Sequence, residues 1–319
     1  MATITDVSLL ANVSKATVSR VMSGSRGVKP ESRDAVLRAA EQLNYRPNAA
    51  AQTLANKRSD YIGVILSSTD AGQVSTYLPL LAKALKSRGK HMLVQFAETT
   101  QEHQRLVDEL SQRHCDAIIS VGGSFASESD SRVIAVDSVA EDAESRVNYD
   151  YVFAAESACR FLSSKGHTSI AVVLDDDGYA SEQVLQGYKQ ALQNMAIPVN
   201  RQLIVTANGS CEQAIMSLLN SFSQFSALVV MRDSQAAIAM NLFRSFNLAT
   251  PQEVSIISLE DSQLASQLNP PLTCISYPSQ TIIDNAMQKL DACLDDKVVE
   301  KTPLITGRLV TRESVIDRN

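Results

Sequence analysis

Seven consecutive residues, Ser14-Lys15-Ala16-Thr17-Val18-Ser19-Arg20, place polar donors at short intervals around a single valine. Lys15 and Arg20 are suited to donate to O6 and N7 of guanine, the commonest specific contact in the major groove. Ser14, Thr17 and Ser19 carry hydroxyls that suit phosphate oxygens, although Thr17 and Ser19 would look the same on the solvated face of any small helix. Chemistry of this kind needs a short rigid support that aims its N-terminal side chains at base edges. The surrounding pattern supplies one. Ile4, Val7, Leu10 and Ala11 recur at helical spacing, as do Val18, Val21 and Met22, and then Val36, Leu37, Ala40 and Leu43. Ser14 stands where an N-cap belongs. Asn12 lies in the preceding turn, where a left-handed backbone is tolerated. Pro30 and Glu31 suit the first turn of a third helix. Three small helices with a tight turn between the first two make a helix-turn-helix unit.

Charge is distributed to match. The 319 residues carry a net charge of −6, yet residues 1–58 hold nine Lys/Arg against four acids, which makes +5 there and −11 in the remainder. A basic module attached to an acidic body is what a nucleic-acid-binding segment produces. Composition is otherwise that of a globular protein, with 45% apolar and 20% charged residues. No apolar run is long enough to span a bilayer, and the first residues show no secretory pattern. The five scattered cysteines form no CxxC pair and read as reduced thiols, so the expectation is a cytoplasmic protein without a metal site or cofactor.

The stretch from Asp6-Val7 through Val13-Ser14-Lys15-Ala16-Thr17-Val18-Ser19-Arg20-Val21, followed by Tyr45-Arg46-Pro47-Asn48, resembles the headpiece of the lactose/galactose repressor family. Ser8 and Asn12 stand where the family usually has Ala and Gly; both are physically tolerable. The resemblance implies that Lys15, Ala16 and Arg20 read bases. It also implies that the Ala-rich segment from Asn48 to Asn56, too short to be a stable helix alone, becomes helical on DNA. Asn48, Ala51 and Leu54 would join the contact there, Leu54 as a wedge in the minor groove. A plain linker is the alternative for that segment.

From Tyr61 onward, apolar runs alternate with helical patterns. Strands are expected over 61–66, 91–96, 116–121, 132–136, 169–174, 202–205, 227–231 and 254–259. Helices are expected near 75–88, 101–113, 152–165, 181–194, 210–222, 233–247 and 280–295. Such alternation means parallel sheets covered on both faces, here two doubly wound lobes of four strands each. The likeness continues through Tyr61-Ile62-Gly63-Val64-Ile65, Gly166-His167-Thr168-Ser169-Ile170-Ala171, Gly187-Tyr188 and Val254-Ser255-Ile256-Ile257. It implies a body similar to the periplasmic sugar-binding proteins. The expected organisation is an all-α helix-turn-helix headpiece over 1–46, a hinge helix and linker over 47–60, and an α/β effector-binding and dimerisation body over 61–319. Lobe 1 takes about 61–149 with 278–300, and lobe 2 about 150–277 with 301–319.

The pocket positions that the resemblance assigns are Asp70, Val184, Arg232 and Glu260, at the ends of strands or on the helix after one, where such folds bind ligands. Val184 stands where sugar-binding relatives keep an Arg fork, and Arg232 stands where they keep Asn or Asp. This rearrangement points to weak binding of unmodified sugars and to an anionic effector held by Arg232, or to a structural ion pair of Arg232 with Glu260 or Asp233, or to no effector at all. Asp175-Asp176-Asp177 either lines the same cleft or is a solvated loop capping the next helix.

The chain contains no GxGxxG after a strand, no P-loop, no GxSxG and no HExxH, so catalysis is not expected. The implied function is a sequence-specific transcription regulator, a repressor of a carbohydrate-related operon. Its partners would be an imperfectly palindromic DNA operator, a small-molecule effector, and a second copy of itself in a dimer or tetramer. A small-molecule-binding protein without a DNA function is the remaining alternative.

Overall fold

The computed structural model describes residues 2–22, 27–45, 59–66, 71–112, 115–122, 132–138, 146–175, 178–221, 224–298 and 300–319. The chain divides into two compact units, Met1–Ser59 and Asp60–Asn319.

In the first unit, α1 (Ile4–Leu10) begins at Thr3, whose hydroxyl and backbone N–H exchange hydrogen bonds with Asp6. After a turn in which Asn12 takes a left-handed φ of 51°, α2 runs from Lys15 to Met22 and α3 from Pro30 to Gln42. Pro30 occupies the first turn of α3, where its missing N–H costs nothing. The core of this unit is Val7, Val18, Val21, Val36, Ala39 and Ala40. Leu10 and Leu37, counted into the apolar stripes above, are instead each 49% exposed. Three helices this short enclose only a narrow seam, and small valines and alanines fill it.

The second unit carries two sheets. The first is ordered β2-β1-β3-β4-β5, built from β1 (Tyr61–Leu66), β2 (His91–Phe96), β3 (Ala117–Val121), β4 (Val133–Val136) and β5 (Arg146–Val147), all parallel. Helices α4 (Ala71–Ser87) and α5 (Thr100–Gln112) cover it. The second sheet is ordered β11-β10-β9-β8-β6-β7. Its strands are β6 (Ile170–Leu174), β7 (Ile204–Thr206), β8 (Ala227–Val230), β9 (Ser255–Ser258), β10 (Thr273–Ile275) and an antiparallel β11 (Leu309–Val310). Around it lie α6 (Tyr151–Ser164), α7 (Tyr179–Asn194), α8 (Cys211–Asn220), α9 (Asp233–Ser245) and α10 (Gln263–Gln267). The sequence led us to expect four strands per lobe. The extra strands β5, β10 and β11 have only two or three residues each, too few to show a period.

Central strands are buried end to end, as parallel strands covered on both faces must be. Gly187 on α7 lets that helix lie directly on α6; a Cβ there would run into the carbonyl of Val152. Connection between the two lobes is threefold. Tyr149 and Asp150 pair with Ile305. The Ser276 N–H donates to the Arg308 carbonyl, the Arg308 N–H donates to the Ser276 hydroxyl at 3.2 Å, and the Tyr149 hydroxyl donates to the Ser276 carbonyl at 3.2 Å. Gly307 fits among these three segments only because it has no side chain. After the second crossing, α11 (Ser279–Leu294) returns to pack on the first sheet and on α4. After the third, the last residues return to the second lobe, where His167 Nε2 donates to the Ile316 carbonyl at 3.1 Å and Nδ1 lies 2.9 Å from the Ser226 hydroxyl.

Candidate nucleic-acid interface and effector site

α2 sorts its side chains by exposure. Val18 and Val21 are buried, and their opposite neighbours Lys15, Ala16, Ser19 and Arg20 are exposed. Ser14 caps the helix, its hydroxyl accepting from the Thr17 N–H at 3.1 Å and lying 2.9 Å from the Thr17 hydroxyl. Thr17 is therefore half-buried and engaged locally, while Lys15, Ala16, Ser19 and Arg20 form the open face. Asn48, Ala51 and Leu54, assigned to the hinge contact, lie outside the described residues.

In the second unit the pocket residues separate. Val184 is 0% exposed and packs in the main hydrophobic core beneath α7. It is a core residue, and its assignment to the ligand site is corrected here: the valine turns into the core beneath α7. Asp70 lies outside the described residues. Arg232 and Glu260 are brought together at the carboxyl ends of β8 and β9, with Asp175 joining them from the end of β6. The Arg232 Nε donates to Asp175 Oδ2 at 2.8 Å, and its NH1 lies 4.0 Å from Glu260 Oε1. Gln235 donates to the other Asp175 oxygen and accepts from the N–H groups of Met231 and Arg232. Glu260 accepts from the Asp233 N–H at 2.9 Å, and the fully buried Asp233 accepts from the Ser262 N–H at 2.7 Å.

Arg232 is thus held by a carboxylate, with a second one at the edge of contact. An incoming anion would meet two carboxylates for one guanidinium, an arrangement that disfavours the anionic effector expected at Arg232. The ion-pair alternative holds with Glu260, one of its two expected partners, at 4.0 Å, and Asp175, which was not expected, takes the shorter Nε bond. Asp175 belongs to this constellation, while Asp176 and Asp177 lie outside the described residues.

The first lobe contributes a cluster that the sequence reading missed. Asp137 follows β4 in a left-handed conformation (φ 50°) and is buried. One oxygen accepts from the Tyr149 N–H at 2.9 Å; the other accepts from the hydroxyls of Tyr77 (3.1 Å), Tyr151 (3.3 Å) and Tyr277. Burial pushes the carboxyl up to about 6, opposed by the bonds from Tyr149, Tyr77 and Tyr151 and by the positive charge of Arg232. Burial and the neighbouring Asp137 charge hold the Tyr77 and Tyr151 hydroxyls far above their ordinary range, again with Arg232 pulling the other way. Asp137 at the carboxyl end of β4 and Arg232 at the carboxyl end of β8 lie close enough for the Arg232 charge to act on all three groups. The visible signal for this cluster is an acid directly after the apolar run 133–136.

Among the described residues, no three His, Cys, Asp or Glu side chains are grouped as a metal ion would need. No helix there is long and apolar enough to cross a membrane.

A basic helix-turn-helix unit joined to a two-lobed α/β body with its polar residues at facing strand ends defines a ligand-responsive transcription regulator. Comparison with known proteins agrees with both parts. Residues 3–48 match the model for bacterial regulatory proteins of the lacI family, and residues 159–315 match the periplasmic binding protein-like domain. The transcriptional regulator GalR of Salmonella typhimurium is 30% identical over 330 residues, covering 99% of this chain and 96% of that protein. The lac repressor dimer bound to operator and an anti-inducer superimposes with a TM-score of 0.86 over 99% of each chain at 22% identity. A complex of the transcriptional regulator CelR with cellobiose superimposes with a TM-score of 0.68, at 24% identity, over 98% of this chain and 100% of that one. The chain belongs to the lacI family of bacterial regulatory proteins; it is a DNA-binding transcription regulator and not an enzyme.

Proposed function

We propose that the protein is a cytoplasmic repressor of a carbohydrate-related operon, and that two copies bind an imperfect palindrome, each through α2. The observation that carries this reading is the exposed row Lys15, Ala16, Ser19 and Arg20 on a helix whose other side is locked by Val18 and Val21. Lys15, Ala16 and Arg20 read bases, while Ser14, Thr17 and Ser19 serve phosphates and capping. Asn48, Ala51 and Leu54 complete the contact from the hinge. Two linked headpieces raise the effective concentration at the second half-site, which one small headpiece needs.

The effector is a neutral polyhydroxylated molecule of the sugar class, bound between the lobes. Asp175 and Glu260 offer carboxylate acceptors for vicinal hydroxyls, and Arg232, already oriented by Asp175, supplies a donor. The CelR–cellobiose complex among the similar structures is in keeping with this class. The deciding experiment for the DNA function is truncation. A body starting at residue 59 should fold and give a normal melting transition but show no operator binding in a mobility-shift assay. Retained operator binding would refute the assignment of DNA contact to residues 1–58. For the effector, a thermal-shift panel of neutral sugars and sugar phosphates should raise the melting temperature only with neutral members, since a ligand that binds the folded state alone stabilises it.

A further inference from the structure

The Asp137 cluster has no part in the contacts assigned to DNA or effector, yet it sits where the chain passes between lobes. Asp137 belongs to the first lobe. Tyr77 comes from α4 in the same lobe. Tyr149 and Tyr151 flank the first crossing, and Tyr151 is the opening residue of α6, which packs against the second sheet. Tyr277 lies in the second crossing, just before α11. The third crossing is tied in through Gly307 beside Tyr149 and Ser276. Rings of Tyr149 and Tyr277 lie 4.6 Å apart between centroids, and those of Tyr149 and Tyr151 5.0 Å apart, edge to face. One carboxyl group therefore collects hydrogen bonds from both lobes and from two crossings.

We propose that Asp137 is the positioning residue of the hinge: its carboxyl group clamps the crossings through Tyr77, Tyr151 and Tyr277, and loss of its proton favours release of one lobe from the other.

The direction follows from linkage. In the clamped arrangement the carboxyl binds its proton up to about pH 6, whereas a hydrated Asp does so only to about 4. Any motion that admits water to Asp137 is therefore opposed by protonation and favoured by ionisation. Below about pH 4 both arrangements are protonated and the contribution is constant. Between about 4 and 6 the clamped form gains as pH falls; above 6 that gain is lost. The groups facing Asp137 are Tyr277, the hydroxyls of Tyr77, Tyr149 and Tyr151, which burial and the Asp137 charge hold above the ordinary phenol range, and Arg232 from the second lobe, whose guanidinium keeps its charge. A gap of two pH units bounds the shift in the hinge equilibrium at on the order of a hundredfold. Operator affinity responds to the same equilibrium, a link that rests on the effector-gated reading above.

Two readouts on the full-length protein separate the clamp from that reading. The chain has no tryptophan and eight tyrosines, so tyrosine emission is directly readable, and the Tyr77, Tyr151 and Tyr277 hydroxyls bond to one carboxyl group. Between pH 7.5 and 4.5, wild-type emission should titrate with a midpoint near 6, and Asp137→Asn should be flat. Tyr151→Phe removes a donor that favours the carboxylate, so its midpoint should rise; this variant keeps the test decisive if Asp137→Asn folds poorly. The second readout is operator affinity by fluorescence anisotropy. All four histidines lie beyond residue 90, so the DNA-reading helix brings no histidine titration of its own. Wild-type affinity should change at least threefold between pH 7.5 and 5.0, while Asp137→Asn holds the wild-type acid-limit value at both. An emission titration that persists unchanged in Asp137→Asn, or a midpoint unmoved in Tyr151→Phe, overturns the clamp. Emission that titrates as described with operator affinity unresponsive leaves the clamp standing and refutes its coupling to DNA.

Discussion

At the scale of single residues, the row Lys15, Ala16, Ser19 and Arg20 is exposed on α2 opposite the buried Val18 and Val21. Lys15, Ser19 and Arg20 could be placed because helical spacing fixes which side chains share a face with Val18 and Val21. Truncating Arg20 to Ala should cost about 1–3 kcal/mol on the cognate operator and little on random duplex, measured by competition binding. Equal losses on both would make Arg20 a phosphate contact. Val184 was misplaced because position in a family motif does not reveal whether a side chain turns into the core. Arg232 was found, but its partner Asp175 lies 57 positions away, and sequence spacing carries no information about such a pairing. Its Ala variant should lower stability by about 1–3 kcal/mol, read as a drop in melting temperature, because Asp175 and Glu260 then face each other without a cation. An unchanged melting temperature would mean that the pair is worth no more than an exposed one.

The elements were legible where they are long. Buried strands such as β1, β3 and β6 announce themselves as apolar runs between turn residues, and α5 and α7 as helical stripes. What escaped was set by tertiary contact: β5, β10 and β11 exist because neighbouring strands pair with them, not because their residues insist on it. The contact of α6 with α7 was foreshadowed only by Gly187. Replacing Gly187 with Ala should destabilise the body by about 1–3 kcal/mol in chemical denaturation, since the added carbon meets backbone that has no rotamer to escape into. If the loss is below half a kcal/mol, the two helices slide apart more readily than their packing implies.

On the scale of the whole molecule, charge asymmetry was the plainest signal: +5 on residues 1–58 against −11 on the rest. Operator affinity should therefore fall by about a hundredfold or more between 50 and 200 mM salt, while binding of a neutral sugar to the body hardly moves. A salt-insensitive operator complex would contradict a contact made through phosphates. The threefold crossing between lobes has a further consequence, for synthesis. Among the described residues, the core of the first unit is drawn from residues 4–45 alone. Neither lobe of the body shares that independence. The face of the first sheet that α4 covers stays open over β3, β4 and β5 until α11 has been made, and the second sheet lacks the contacts of Ser314, Ile316 and Arg318 until those residues have followed. On the ribosome the DNA-reading unit is thus ready first, well over two hundred residues before the part that governs it, and each nascent chain passes through a stage in which it carries a finished headpiece with no means of answering an effector.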